Sequence, residues 1–183
     1  MTDREFRASV LHNPLNRELL RRLSTLELGQ CHLTAGCLFQ TVWNQLSGRA
    51  PDWGIKDYDI FYFDEDLSWH AEDAVIRRVA DATRDLPVAI EIRNQARVHL
   101  WYRQRFGSDY PRLHSVRAGI DLYLISCTCV GIDVHTGDLY APDGLDDLVS
   151  GALRMNPLNQ KPELFRQKAE SYRQRWPWLQ ISE

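Results

Sequence analysis

With 183 residues, 44% of them hydrophobic and 26% charged, the chain has the size and composition to bury the core of one globular domain. Its net charge of −3 argues against broad, sequence-independent grip on a nucleic-acid backbone, while leaving room for a local basic groove. No apolar run approaches the ~20 residues that cross a bilayer, and "MTDREFRASV" lacks the apolar centre of a secretory signal, so a cytoplasmic address without a membrane partner is expected.

In chain order, Leu15, Leu19, Leu20 and Leu23 form a stripe that predicts a helix over 14–27, opened by Asn13 and Pro14. "NPLN" recurs at Asn156, where the same helix-start chemistry is expected. After "GQCHLTAGC", read as a connection, a second helix is predicted to about Ser47, with Leu38, Val42 and Leu46 along one side. "YDIFYF" reads as a strand, rich in aromatic and branched residues. Residues 69–84 read as a helix that buries Val75, Ile76, Val79 and Ala80, with Asp64, Glu65 and Asp66 favouring its N-terminus.

Further on, "PVAIEIR" and "RVHLWY", separated by "NQA", predict the two strands of a hairpin. "IDLYLISCTCVGI" predicts a long, buried central strand, and "GDLYAP" an edge strand after a turn at "HTG". Helices follow over "GLDDLVSGAL" and 162–175, before a closing "WPWL". Cys31, Cys37, Cys127 and Cys129 are too few and too oddly spaced for a disulfide framework, and read as reduced core residues. The expected class is α+β, a mixed sheet flanked by helices. One domain spans 1–183, with a helical segment over 1–29 and C-terminal helices over 142–183.

The chemistry concentrates in "GIKDYDIFYFDED". Strand alternation puts Asp57, Asp59 and Phe61 on one face and Tyr58, Ile60 and Tyr62 on the other. Carboxylates at such positions lie ~6–7 Å apart along the strand, and they repel unless a cation sits between them. Mg²⁺, which prefers one or two carboxylates plus waters and substrate phosphates, resolves that repulsion. An EF-hand loop is excluded, because its sixth position here is Tyr62 rather than Gly. About twenty residues earlier, "LTAGCLFQTVW" places Gly36 and Cys37 at a helix start, where backbone N–H groups and the helix dipole favour a phosphate. In "VAIEIRN", Glu91 is an acid between apolar neighbours on a later strand. It supplies a third carboxylate if that strand lies beside the first. Asp121 in "GIDLYL" and Asp133 in "VGIDVH" have similar surroundings, and Glu91 is favoured as the nearest in sequence that can pair.

In this order and spacing the three motifs resemble the nucleotidyltransferase superfamily that includes polymerase β. "AGCLFQTVWN", "GIKDYDIFYFD", "RNQARVHLWY" and "RWPWL" together resemble an uncharacterised bacterial nucleotidyltransferase-like family over roughly 30–180. The resemblance implies the polymerase-β-like fold and transfer of a nucleoside monophosphate from an NTP to a hydroxyl acceptor, with pyrophosphate released. Asp57, Asp59 and Glu91 would hold Mg²⁺, or Mn²⁺ in its place. Gly36, Cys37 and Lys56 would position the phosphates, with Arg93 and Arg97 in support. Cys37 departs from the pattern, which has Ser or Gly there, and a thiol is the poorer donor to phosphate. That departure motivates an alternative, a catalytically inactive protein of the same fold that binds nucleotide, RNA or a protein partner. An unrelated metal hydrolase is disfavoured, since the nearest histidine, His70, is expected to face away on a helix.

Several neighbours carry blander readings. Arg93 either meets a triphosphate or relieves the repulsion among the acids. His99 reads as a hydrogen-bonded structural histidine and Asn94 and Gln95 as turn residues. Trp53 is a candidate for stacking on a base. Arg166, Lys168, Arg173 and Arg175, with Trp176 and Trp178, either reach a nucleotide or an RNA end or, the favoured reading, form a solvated helix face whose Trp pair pins the tail.

Overall fold

The structure is a computed structural model and describes residues 1–182. Thr2 and Glu5 cap α1 (Asp3–Leu11) reciprocally. Asn13 caps α2 (Pro14–Leu23), the helix start that the Asn-Pro pair predicts. β1 (Gln30–Thr34) lies where the sequence shows only a connection; pairing on both edges, rather than its own pattern, makes it a strand. It leads into α3 (Gly36–Leu46), then β2 (Asp57–Phe63), α4 (Trp69–Thr83), capped by Ser68, and β3 (Ala89–Asn94).

The predicted hairpin does not form. Asn94 accepts a hydrogen bond from the Ala96 amide and turns the chain out of the sheet, so "RVHLWY" becomes α5 (Val98–Phe106), closed by Gly107 at φ 74°. The long central strand is also absent. Its first part ends α6 (Val116–Ile120), a tight turn occupies Ser126–Thr128, and only β4 (Gly131–Asp133) joins the sheet. The run is half-buried over 121–124 and mostly buried from Ile125, and Asn156 donates to the Asp121 and Tyr123 carbonyls, supplying partners that a ladder would have supplied. Asn156 is therefore a buried hydrogen-bonding hub, not the start of a helix. β5 (Leu139–Tyr140) is the edge strand expected after "HTG". It is followed by α7 (Asp146–Ser150), β6 (Ala152–Arg154), α8 (Pro162–Arg175) and β7 (Gln180–Ser182).

The mixed five-stranded sheet has the order β3-β2-β1-β4-β5. β2 and β3 run parallel through the α4 crossover, and the other neighbours are antiparallel. One face packs on the main core, where Tyr58 and Ile60 of β2 meet Leu33 of β1, Val42 and Trp43 of α3 and Val79 of α4. Trp176 packs 5.4 Å from the Trp43 ring and donates its indole N–H to Asn44 at 3.0 Å. That contact pins α8 against α3. All four cysteines are buried and free, as their spacing predicts.

Candidate active site

The acids meet because of strand register. Asp59 of β2 lies directly between Thr34 of β1 and Glu91 of β3, so the three share one row and one face. Asp57 stands two residues earlier on that face, and Phe61 and Arg93 form the next row. The intervening Tyr58, Ile60 and Tyr62 are buried on the core side. Of the other acids considered, Asp121 ends α6 and accepts from the Tyr140 hydroxyl at 2.6 Å. Asp133 pairs with His32 and accepts from the His135 and Thr136 amides. Neither shares the Asp59 row.

Asp57 and Asp59 open into a cavity of about 550 Å³ whose floor includes Ala35 and Gly36 at the head of α3. Ala35 holds φ 63° and ψ −141°, a backbone conformation suited to glycine, and no side chain caps the helix. A helix start without a side-chain acceptor thus lies at the cavity, the arrangement that suits an anion. The opposite wall is aromatic, with Tyr102, Phe106 and Tyr110, and Tyr102 and Tyr110 are 4.4 Å apart between ring centres.

Burial raises the Asp59 carboxyl to about 7, and the nearby negative charges of Asp57 and Glu91 act in the same direction; Lys168 and Arg93 pull the other way. Lys168, from α8, is the one cationic side chain lining the cavity among the described residues. The sequence favours a solvated helix face for it over a nucleotide contact, although its i,i+4 partner Tyr172 lies on the buried stripe of α8 with Phe165 and Ala169.

The remaining sequence candidates are distributed differently. Gly36 is at the cavity, and a Cβ there would come within 2.5 Å of Gln40 Nε2. The Cys37 thiol points into the core, donating to the Thr34 carbonyl at 3.2 Å, and burial raises its pKa far above normal; only its backbone is near the helix start. Lys56 is exposed just before β2, and the lining of the cavity does not include it. Arg93 stands 3.7 Å from Glu91 and lines a separate pocket. Arg97 is occupied by Glu72 in a largely buried ion pair and does not line the cavity. His99 sits on α5 with its buried Nδ1 unpartnered, not in a hydrogen-bonded strand position. Trp53 stacks under Arg49 at 3.8 Å and packs edge-on to Trp176, outside the cavity.

Among the described residues no group of three or more His, Cys, Asp and Glu side chains is arranged to hold a metal ion. The donor set at the row is nevertheless all oxygen, and Asp57 and Asp59 repel each other at one cavity wall. Mg²⁺ needs only one or two protein carboxylates, completing its shell with water and phosphate, so these residues fit a hard divalent ion.

A mixed sheet with a strained helix start facing an acid–x–acid strand defines the class. The model of a nucleotidyltransferase family matches residues 21–181, and the chain belongs to that family. No curated protein shows a significant match. Among solved structures, one described as revealing a CCA-adding enzyme head domain is 24% identical, with a TM-score of 0.77 over 100% of this chain and 96% of that one. A tRNA-processing enzyme in an apo form (15% identity, TM-score 0.57) is covered over 93% of this chain. The Thermotoga maritima CCA-adding enzyme complexed with tRNA (14%, TM-score 0.57) is covered over 100% of it. The chain spans 43% of the length of each of these two enzymes. These likenesses establish the nucleotidyltransferase head-domain fold. No helix among the described residues is long and apolar enough to cross a membrane.

Proposed function

We propose that the protein transfers a nucleoside monophosphate from an NTP to a hydroxyl acceptor at the Asp57–Asp59–Glu91 row. The observation that carries the reading is the register: it sets Glu91 beside Asp59, with Asp57 on the same face, against a cavity floored by an uncapped helix start. Asp57 and Asp59, with Glu91 in support, would hold Mg²⁺ or Mn²⁺. The bound ion would neutralise the triphosphate and lower the pKa of the attacking hydroxyl. The amides of Gly36 and Cys37 would cradle the phosphates, and Lys168 would meet the departing pyrophosphate. The acceptor oxygen forms a bond to the α-phosphorus, the α–β bridging bond breaks, and the hydroxyl proton passes to a carboxylate of the row.

Equilibrium binding of an NTP with Mg²⁺, together with pyrophosphate release over a panel of hydroxyl acceptors, tests this. Wild type is expected to bind and release, and Asp57→Asn/Asp59→Asn to lose both. Tight, unchanged nucleotide binding in the double variant removes the metal role. Binding that never leads to release over the panel favours a non-catalytic member of the fold.

A further inference from the structure

A second pocket, of about 450 Å³, opens on the other side of α5 and is lined by Glu72, Arg93, Trp101, Gln104 and Arg105. The helix is a partition. Tyr102 and Phe106, one turn apart, face the larger cavity, while Trp101, Gln104 and Arg105 face the smaller. The two spaces also meet at the sheet, where Phe61 of the larger cavity is the cross-strand neighbour of Arg93 in the smaller. Arg93 is two residues beyond Glu91 on the same face, ~6–7 Å along the strand. The boundary between a cavity suited to a nucleotide and a pocket with a different charge is thus the Phe61–Arg93 row, next to the Asp59–Glu91 row.

That charge is positive. The Glu72 carboxylate is already occupied, accepting from the Asn94 amide at 3.0 Å and paired with Arg97. Arg93 gives one Nη to the Ile92 carbonyl and keeps only a loose contact with Glu91, at 3.7 Å. Arg105 pairs with no carboxylate among the described residues; its guanidinium lies over the Trp101 and Phe106 rings at 6.0 and 5.4 Å. Two guanidinium forks beside a half-buried indole make a site for a dianion, since each fork matches the oxygens of a phosphate.

We propose that this pocket is the acceptor site and that the acceptor is a small hydroxyl compound carrying a phosphate. Arg93 and Arg105 hold the phosphate, Trp101 covers the body of the molecule, and the hydroxyl reaches back to Glu91 and Asp59. The assignment rests on the nucleotidyl-transfer reading of the acid row, and it gives that reading a substrate class.

Inorganic phosphate is the probe, followed by the indole ¹⁵N–¹H resonance of Trp101 with and without saturating α,β-methylene NTP and Mg²⁺. A saturable shift that the nucleotide analogue changes by less than twofold is expected. The exposed Arg105→Met should weaken phosphate at least tenfold while analogue affinity moves by less than twofold, and Arg93→Met should weaken phosphate by a similar factor. The proposal is overturned if the analogue abolishes the phosphate response, since the pocket would then belong to the triphosphate. It is equally overturned if neither substitution alters phosphate binding. Failure of the analogue to bind wild type would instead remove the nucleotidyl-transfer reading, and the phosphate titration alone would still decide whether the pocket takes an anion.

Discussion

The two faces of β2 differ by one residue in phase and by everything in environment. Tyr58, Ile60 and Tyr62 are all but sealed in the core, while Asp57 and Asp59 open into a cavity. Stability and chemistry are therefore interleaved along seven residues yet separable by substitution, because neighbouring side chains share a backbone but no contacts. The core face gains from burial of apolar area. The cavity face holds like charges near one another, which costs stability and is retained where a cation or substrate uses it.

The largest effect expected on that contrast is kinetic. Asp59→Asn should lower nucleotidyl transfer by more than about 100-fold, since losing even an outer partner of a metal ligand costs about 10–100-fold. Its Tm should stay level or rise, because an uncharged side chain replaces a carboxylate held at about 7. A large fall in Tm would show that the two faces are not separable. Ile60→Ala is the mirror experiment. It should cost about 2–5 kcal/mol in denaturant unfolding, from a fully buried position, while the folded fraction keeps its turnover.

A smaller, solvent-screened effect concerns pH. The folded pKa of Asp59, about 7, lies above that of an unfolded aspartate, so between about pH 4 and 7 the folded state binds the extra proton. Its contribution to stability should therefore decline as pH rises through that window in metal-free protein. Thermal melts across it should show wild type losing ground to Asp59→Asn, and parallel curves would refute the assignment. The smallest change is expected at the helix start. Ala35→Gly should stabilise the fold by about 1 kcal/mol, as glycine accepts φ 63° without strain, and should leave nucleotide affinity within a few-fold.

The sequence made parts of this arrangement legible and hid others for identifiable reasons. The alternation of "DYDIFYF" sorts its own side chains into two faces, and Gly36 before an apolar helical run marks the helix start. The pattern of "RVHLWY" reads as a strand, yet it forms a helix, because an Asn94 side chain reaching to the Ala96 amide turns the chain out of the sheet. The apolar run from Ile120 onward is mostly buried only from Ile125 and is not an extended strand, because Asn156 satisfies carbonyls of its first part from a distance. Lys168 became a cavity residue only because Trp176 locks α8 against α3.

Local pattern by itself determined which residues of β2 face together, where α3 begins, and that four cysteines stay reduced in the core. Whether Glu91, Asp121 or Asp133 stands beside Asp59 was a question of strand register, which depends on contacts between segments far apart in the chain. The same holds for the retirement of Arg97 into a pair with Glu72 and of the Cys37 thiol into the core. Periodicity is written in neighbouring residues, whereas the partner of a charge is chosen only when the whole chain has packed.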